Sequence, residues 1–170
     1  MINLSLNKKV LLFGIIFTFF SSFGQSFFLG LFNSSIRDEL NISHGQFGSI
    51  YAGATICSSL VLIWFGKKID EMRIFNYSLI VIGFLFFSSL FFSFINSLYF
   101  LIVAIFLIRF SGQGLMSHTS TTTISRYFNK RRGKALSGIW FGLSSAEFFL
   151  PILIIFLLSI FSWRVIWQSI

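Results

Sequence analysis

With 170 residues, 55% of them hydrophobic and only 11% charged, the chain carries more apolar surface than a soluble core of this length can hide. A net charge of +8 invites a nucleic-acid partner, but the basic residues sit in short clusters between apolar runs, which excludes that reading and marks membrane topology instead. The single cysteine, Cys57, excludes an internal disulfide, and its apolar surroundings predict a small packing residue.

The first apolar run, Val10 to Ile36, contains no Asp, Glu, Lys or Arg. A bilayer crossing needs about 20 mostly apolar residues per helix. Lys8 and Lys9 followed by Val10–Phe20 resemble a secretory leader, but the run continues through Phe27, Phe28 and Leu29 to Phe32. An uncleaved first span over about 10–32 is therefore expected. It carries a mild polar stripe of Gly14, Thr18, Ser21 and Gln25. Most of the stripe suits packing, and Gln25 is a candidate for a solute pathway.

A polar loop is expected over Asn33–His44, then a second span over about 47–65. Tyr51, Thr55 and Ser58 or Ser59 share a face of that span, and Tyr51 is a second pathway candidate. Lys67, Lys68, Asp70, Glu71 and Arg73 form a compact charged turn. The next run, Ile74 to Ile108, is too long for one crossing. Asn96-Ser97 is its best interior turn, giving spans over about 75–95 and 98–121. After a second basic loop, Arg126 to Lys134, a fifth span is expected over about 135–160. Ser162-Trp163-Arg164 is a short turn, and a sixth span begins at 165 and is cut off. The whole of 1–170 reads as one transmembrane unit of five full helices and the start of a sixth.

Ten of the thirteen basic residues fall on one side of this topology, Arg37 and Arg164 fall on the other, and Arg109 lies within the fourth span. The positive-inside rule places the ten-rich side, and the N-terminus with it, in the cytoplasm.

Polar groups inside the spans carry the functional expectation. Arg109, Gln113, Ser117 and Thr121 stack at helical spacing. A cation at this depth is costly, so Arg109 either lines a solute or ion path or is tied to backbone carbonyls or a neighbouring acid. His118, near the cytoplasmic end, suits an interfacial packing role. Glu147 is the only acid within a span. It is either a titrating carboxylate facing a cavity or a structural partner for Arg109. Pro151 removes the helical bond to the Glu147 carbonyl and should bend the fifth span. Gly138 and Gly142 form a GxxxG step that admits a close helix. No metal-ligand cluster, phosphate loop or Ser/His/Asp grouping is visible. No cofactor, metal or enzymatic activity is expected.

Gly66-Lys67-Lys68-Ile69-Asp70-Glu71-Met72-Arg73 resembles the loop signature G-x-x-x-D-R-x-G-x-[RK] of the major facilitator superfamily; Gly66 and Asp70 fit, while Glu71 replaces the usual basic residue and the second glycine is missing. The stretches Arg109–His118, Ser125–Phe128 and Arg132–Leu136, with Ala146-Glu147, Pro151 and Ser162-Trp163-Arg164, resemble spans four to six of bacterial transporters in the same superfamily. That resemblance implies an all-α, six-helix half bundle in a bacterial inner (plasma) membrane, with a second six-helix half elsewhere. It implies secondary active transport of a small solute by alternating access. Gly66, Asp70 and Arg73 would stabilise a cytoplasmic gate. Arg109 makes an organic anion the favoured solute. The glycine-proline signature of proton antiporters in span five is not matched. The alternatives are a non-transporting membrane scaffold or assembly subunit, and a self-associating half-transporter.

Overall fold

The computed structural model describes the backbone from Leu4 to Ile170 and the side chains from Lys8 onward. Its regular structure is helical throughout: α1 (Leu4–Phe20), α2 (Ser26–Leu31), α3 (Asn33–Leu40), α4 (His44–Glu71), α5 (Ile74–Ser93), α6 (Leu98–Ile108), α7 (Ser117–Tyr127), α8 (Arg132–Leu158) and α9 (Trp163–Ser169). A 3-10 turn, Ser21–Gly24, separates α1 from α2, and a π-helical stretch, Arg109–Met116, joins α6 to α7. Five helical runs are long and apolar enough to cross a membrane: Lys8–Leu31, His44–Glu71, Ile74–Ser93, Leu98–Tyr127 and Arg132–Leu158. α9, of 7 residues, follows them.

Large apolar side chains point outward on several of these helices, among them Phe75, Phe86 and Phe87 on α5 and Phe141, Phe148 and Phe149 on α8. Such faces suit lipid, where every backbone polar group must be bonded within the helix. The interior combines buried apolar side chains, among them Phe28, Phe32, Phe92 and Leu101, with hydroxyls that bond between helices. Thr18 Oγ1 on α1 lies 2.5 Å from the Ile139 carbonyl on α8. Ser120 donates to the Gly14 carbonyl at 2.9 Å, and Ser111 donates to Ser88 at 3.1 Å, joining α7 to α1 and the π stretch to α5.

The helix ends follow local chemistry. α4 begins with a reciprocal capping box between Ser43 and Gln46, and Ser97 caps the start of α6. The segment expected as a polar loop is helical from Asn33 to Leu40 and stops where Asn41 turns left-handed at φ 52°. Burial of Ile36 in the core holds this otherwise polar helix. α4 extends beyond both expected limits, and α8 runs through Pro151 without interruption.

Only one glycine of the expected GxxxG step makes a close approach. A Cβ on Gly142 would collide with the Ile15 carbonyl and the Thr18 hydroxyl, whereas one on Gly138 would meet nothing within 4 Å. The face of α8 that packs inward is Ala135, Ile139, Gly142, Ala146 and Leu150, which turns Gly138 outward. Cys57 is likewise exposed on α4 rather than packed. α9 is already docked: Trp167 is 1% exposed, and its ring centroid lies 4.3 Å from that of Phe92 and 5.5 Å from that of Phe28.

Candidate functional site

The first and fourth membrane-length helices both depart from α geometry at the same place. Gly24 ends the 3-10 turn, and Gln25 is extended at φ −82°, ψ 156° before α2 resumes. Gly112 lies within the π stretch. A Cβ on Gly112 would fall 2.6 Å from the Gly24 nitrogen and 2.8 Å from its Cα, and one on Gly24 would fall 2.5 Å from the Ile108 carbonyl oxygen. Two glycines therefore bring the broken backbones into contact, a configuration membrane proteins tolerate only inside the protein or along a cavity. π-helical stretches within α-helices frequently mark functional sites.

Arg109 closes this junction. It is 5% exposed and donates from Nη1 to the Gly24 carbonyl at 2.8 Å and from Nε to Thr55 Oγ1 at 3.1 Å. Its guanidinium carbon lies 4.9 Å from the centre of the Tyr51 ring, close enough for a cation–π interaction. Tyr51 Oη is 2.7 Å from Ser26 Oγ, so α4 also fixes the start of α2. Among the described residues the ion pairs are Lys68–Glu71, Asp70–Arg126 and Arg164–Glu39. Arg109 is in none of them. Its charge is met by a carbonyl dipole, a hydroxyl and a π face.

Four of the five expected pathway residues meet here. Gln25 follows Gly24 at the break, Tyr51 lies beneath Arg109, and a Cβ on Gly24 would collide with the Gln113 backbone nitrogen. Gln25, Tyr51 and Gln113 are half-buried. The π stretch shifts the helical register, so Arg109 turns inward while Gln113, Ser117 and Thr121 remain partly open. The fifth residue, Glu147, does not join the junction as an ion-pair partner. It is exposed on α8, on the flank shared by Trp140, Ser144 and Pro151 at helical spacing, away from the face that packs on α1. Of the two alternatives for Glu147, pairing with Arg109 is absent among the described residues, and its side chain is exposed rather than buried.

A second polar cluster lies at the end of the bundle that carries most of the basic residues. Asp70 pairs with Arg126 at the end of α7. Arg73 is exposed and forms the N-terminal boundary of α5. The Gly66 carbonyl accepts from His118 Nε2 at 3.1 Å, so the expected packing histidine also joins α7 to α4. A Cβ on Gly66 would fall 3.1 Å from that nitrogen. A cleft of about 330 Å³ opens between the two helices, lined by Gly66, Lys67, Asp70, His118, Thr122 and Arg126. At the opposite end Arg164 bonds Glu39 and the carbonyls of Ser93 (2.8 Å) and Ile95 (2.5 Å), tying α9 to α3 and to the end of α5. The Arg164 guanidinium, helped by the Trp163 indole N–H at 2.8 Å, holds the Glu39 carboxyl below the usual carboxylate range against the opposing effect of burial.

Sequence reasoning missed Gly24 and Gly112, the π stretch, and Arg126 as the partner of Asp70. Thr55 stood on the polar face of the second span, and nothing in its spacing singled it out as an Arg109 acceptor. Among the described residues no group of three His, Cys, Asp or Glu side chains is placed to hold a metal ion.

Membrane-length helices around a buried polar junction, with backbone breaks at its centre, define a polytopic α-helical membrane protein. A family model described as Major Facilitator Superfamily matches residues 14–169, and the chain belongs to that family of transporters. No curated protein and no solved structure matches it.

Proposed function

We propose that this chain supplies one half of a secondary transporter that moves a small organic anion by alternating access, with a second six-helix half completing the cavity. The reading rests chiefly on Arg109, a buried cation that no carboxylate among the described residues neutralises, at the junction of two broken helices. A cation in this state favours an anionic group that approaches it, and a guanidinium matches carboxylate geometry. Gln25, Tyr51 and Gln113 border the junction and would orient the solute. Glu147, on the open flank of α8, is the candidate proton carrier. Its carboxyl would be enclosed only when the other half closes over it.

The orientation follows charge. With ten basic residues at one end and two at the other, the N-terminus would lie on the cytoplasmic side, and the resemblance to bacterial transporters favours a bacterial inner membrane. The Gly66–Arg73 turn would then be part of a cytoplasmic gate, with Asp70 held by Arg126 in the conformation described here. Arg73 is left for a partner in another conformation or in the other half.

One observation favours the scaffold reading. Arg109 already donates to two groups of its own bundle, as a purely structural arginine would. Uptake separates the two readings. The intact protein in proteoliposomes, offered labelled mono-, di- and tricarboxylates, should lose uptake with Arg109→Ala and lose pH dependence with Glu147→Gln. Uptake and pH dependence unchanged in both variants would remove these residues from any transport role.

A further inference from the structure

Beside the Asp70 cleft a larger groove, of about 590 Å³, opens between α7 and α8 at the basic end of the bundle; Thr122, Ser125, Arg126, Asn129, Arg132 and Trp140 line it. No acid lines this groove. We propose that it is a binding site for a carboxylate or phosphate group, held by Arg132 and Arg126, and that the bound anion competes with Asp70 for Arg126.

Three observations carry the site. First, the N-terminus of α8 lies on its rim, with Arg131 at the cap position and Arg132, Gly133 and Lys134 opening the helix; no acid lies in its first turn, and no side chain caps it. The N-terminus of a helix carries partial positive charge, so cations there repel it and an anion relieves the conflict. Second, the lining is chemically complete for an oxyanion. Guanidinium groups bind carboxylate or phosphate in bidentate fashion, and the hydroxyls of Thr122 and Ser125 and the Asn129 amide supply further donors. Trp140 on the wall is the residue type that prefers the membrane–water boundary, where such a groove would open. Third, Arg126 lines both this groove and the Asp70 cleft. Its side chain is 51% exposed and that of Asp70 is 60% exposed, so their ion pair is weakly held and can be exchanged for another anion.

The competition gives the site a consequence. Filling the groove would draw Arg126 from Asp70 and release the α4–α5 turn from the end of α7. The site needs only the groove and does not depend on the transport reading. Its oxyanion could belong to a phospholipid headgroup or to a free solute.

Intact protein in detergent separates these sources. Native mass spectrometry would compare retained phosphatidylglycerol with phosphatidylcholine, and thermal unfolding would compare sodium phosphate with sodium chloride at matched ionic strength. In whichever arm shows binding, Arg132→Gln should weaken it about fivefold, and Asp70→Asn, by freeing Arg126, should tighten it about threefold. Lys68→Gln removes the same charge at the same end without lining the groove and should leave it unchanged. Equal weakening by Lys68→Gln and Arg132→Gln would mean diffuse attraction to basic surface and would overturn the site. No Arg132-dependent binding in either arm would do the same, and an unchanged affinity in Asp70→Asn would overturn the competition.

Discussion

The Gly24 carbonyl accepts a hydrogen bond from Arg109 at 2.8 Å across two irregular helices. The same residue that breaks the first membrane-length helix thus supplies the acceptor that neutralises part of a buried charge. Breaking a helix exposes carbonyls, and in a membrane interior an exposed carbonyl must find a donor. Arg109 provides it, and the junction is stable only because Gly24 and Gly112 let the backbones touch.

Adding a methyl group at either glycine should therefore be costly. Gly24→Ala and Gly112→Ala place a Cβ against backbone atoms that have no rotamer to escape into, and each should destabilise the protein by about 1–3 kcal/mol. Gly138→Ala provides the contrast. Its Cβ would meet nothing within 4 Å, and the gain in helix propensity should make it neutral or stabilising by up to about 1 kcal/mol. Thermal unfolding in detergent would rank the three, and equal melting temperatures would refute the packed junction.

Arg109→Lys tests whether charge alone suffices. Lysine keeps the cation but cannot span the Gly24 carbonyl and Thr55 with a planar fork. One buried acceptor is left unsatisfied, at a cost of about 1–3 kcal/mol. Stability should fall in both Arg109→Lys and Arg109→Gln. If an anionic solute is bound electrostatically, lysine should retain more uptake than glutamine, and equal uptake by the two would argue against that role.

The Glu39–Arg164 contact predicts a pH dependence with a definite sign. Arg164 lowers the Glu39 carboxyl in the folded protein, so its contribution is fully present above the ordinary carboxylate value and is lost as pH falls through the lowered one. Melting temperature should decline on acidification below about pH 4.5, and Glu39→Gln should flatten that part of the curve. Arg164→Ala should be the more damaging change, because it also strands the carbonyls of Ser93 and Ile95 at the end of α5. Similar losses in Glu39→Gln and Arg164→Ala would show that those carbonyl bonds contribute little.

The membrane-length helices were legible in the sequence because burial in lipid demands long charge-free runs, and those runs are unmistakable between Lys9 and Arg37 or Arg73 and Arg109. The helix α3 was not, since its polar composition resembles a loop and its order depends on burying Ile36. Neither the 3-10 turn nor the π stretch has a local signature. Both arise where Gly24 meets Gly112, a contact between residues far apart in the chain. Arg109, Gln25, Tyr51 and Gln113 stood out because polar groups are expensive in apolar spans, so the candidate site was legible as a set of residues but not as a geometry. The pairing of Asp70 was beyond reach for a different reason. Several cations crowd that end of the bundle, and only the packing of α7 against α4 selects Arg126, 56 positions away.

That selection gives the last prediction, in which stability and function should part. Asp70 and Arg126 are more than half exposed, and exposed pairs contribute about 0–1 kcal/mol. Asp70→Asn and Arg126→Gln should therefore leave the melting temperature nearly unchanged. If the pair holds one gate conformation, the same substitutions should alter transport rate, because even a small preference shifts the populations of two closely balanced states. Exchanging the charges, Asp70→Arg with Arg126→Asp, should restore the rate towards wild type when the pair acts as a pair. A double variant as defective as either single one, in protein that still folds, would show that the turn works through another contact.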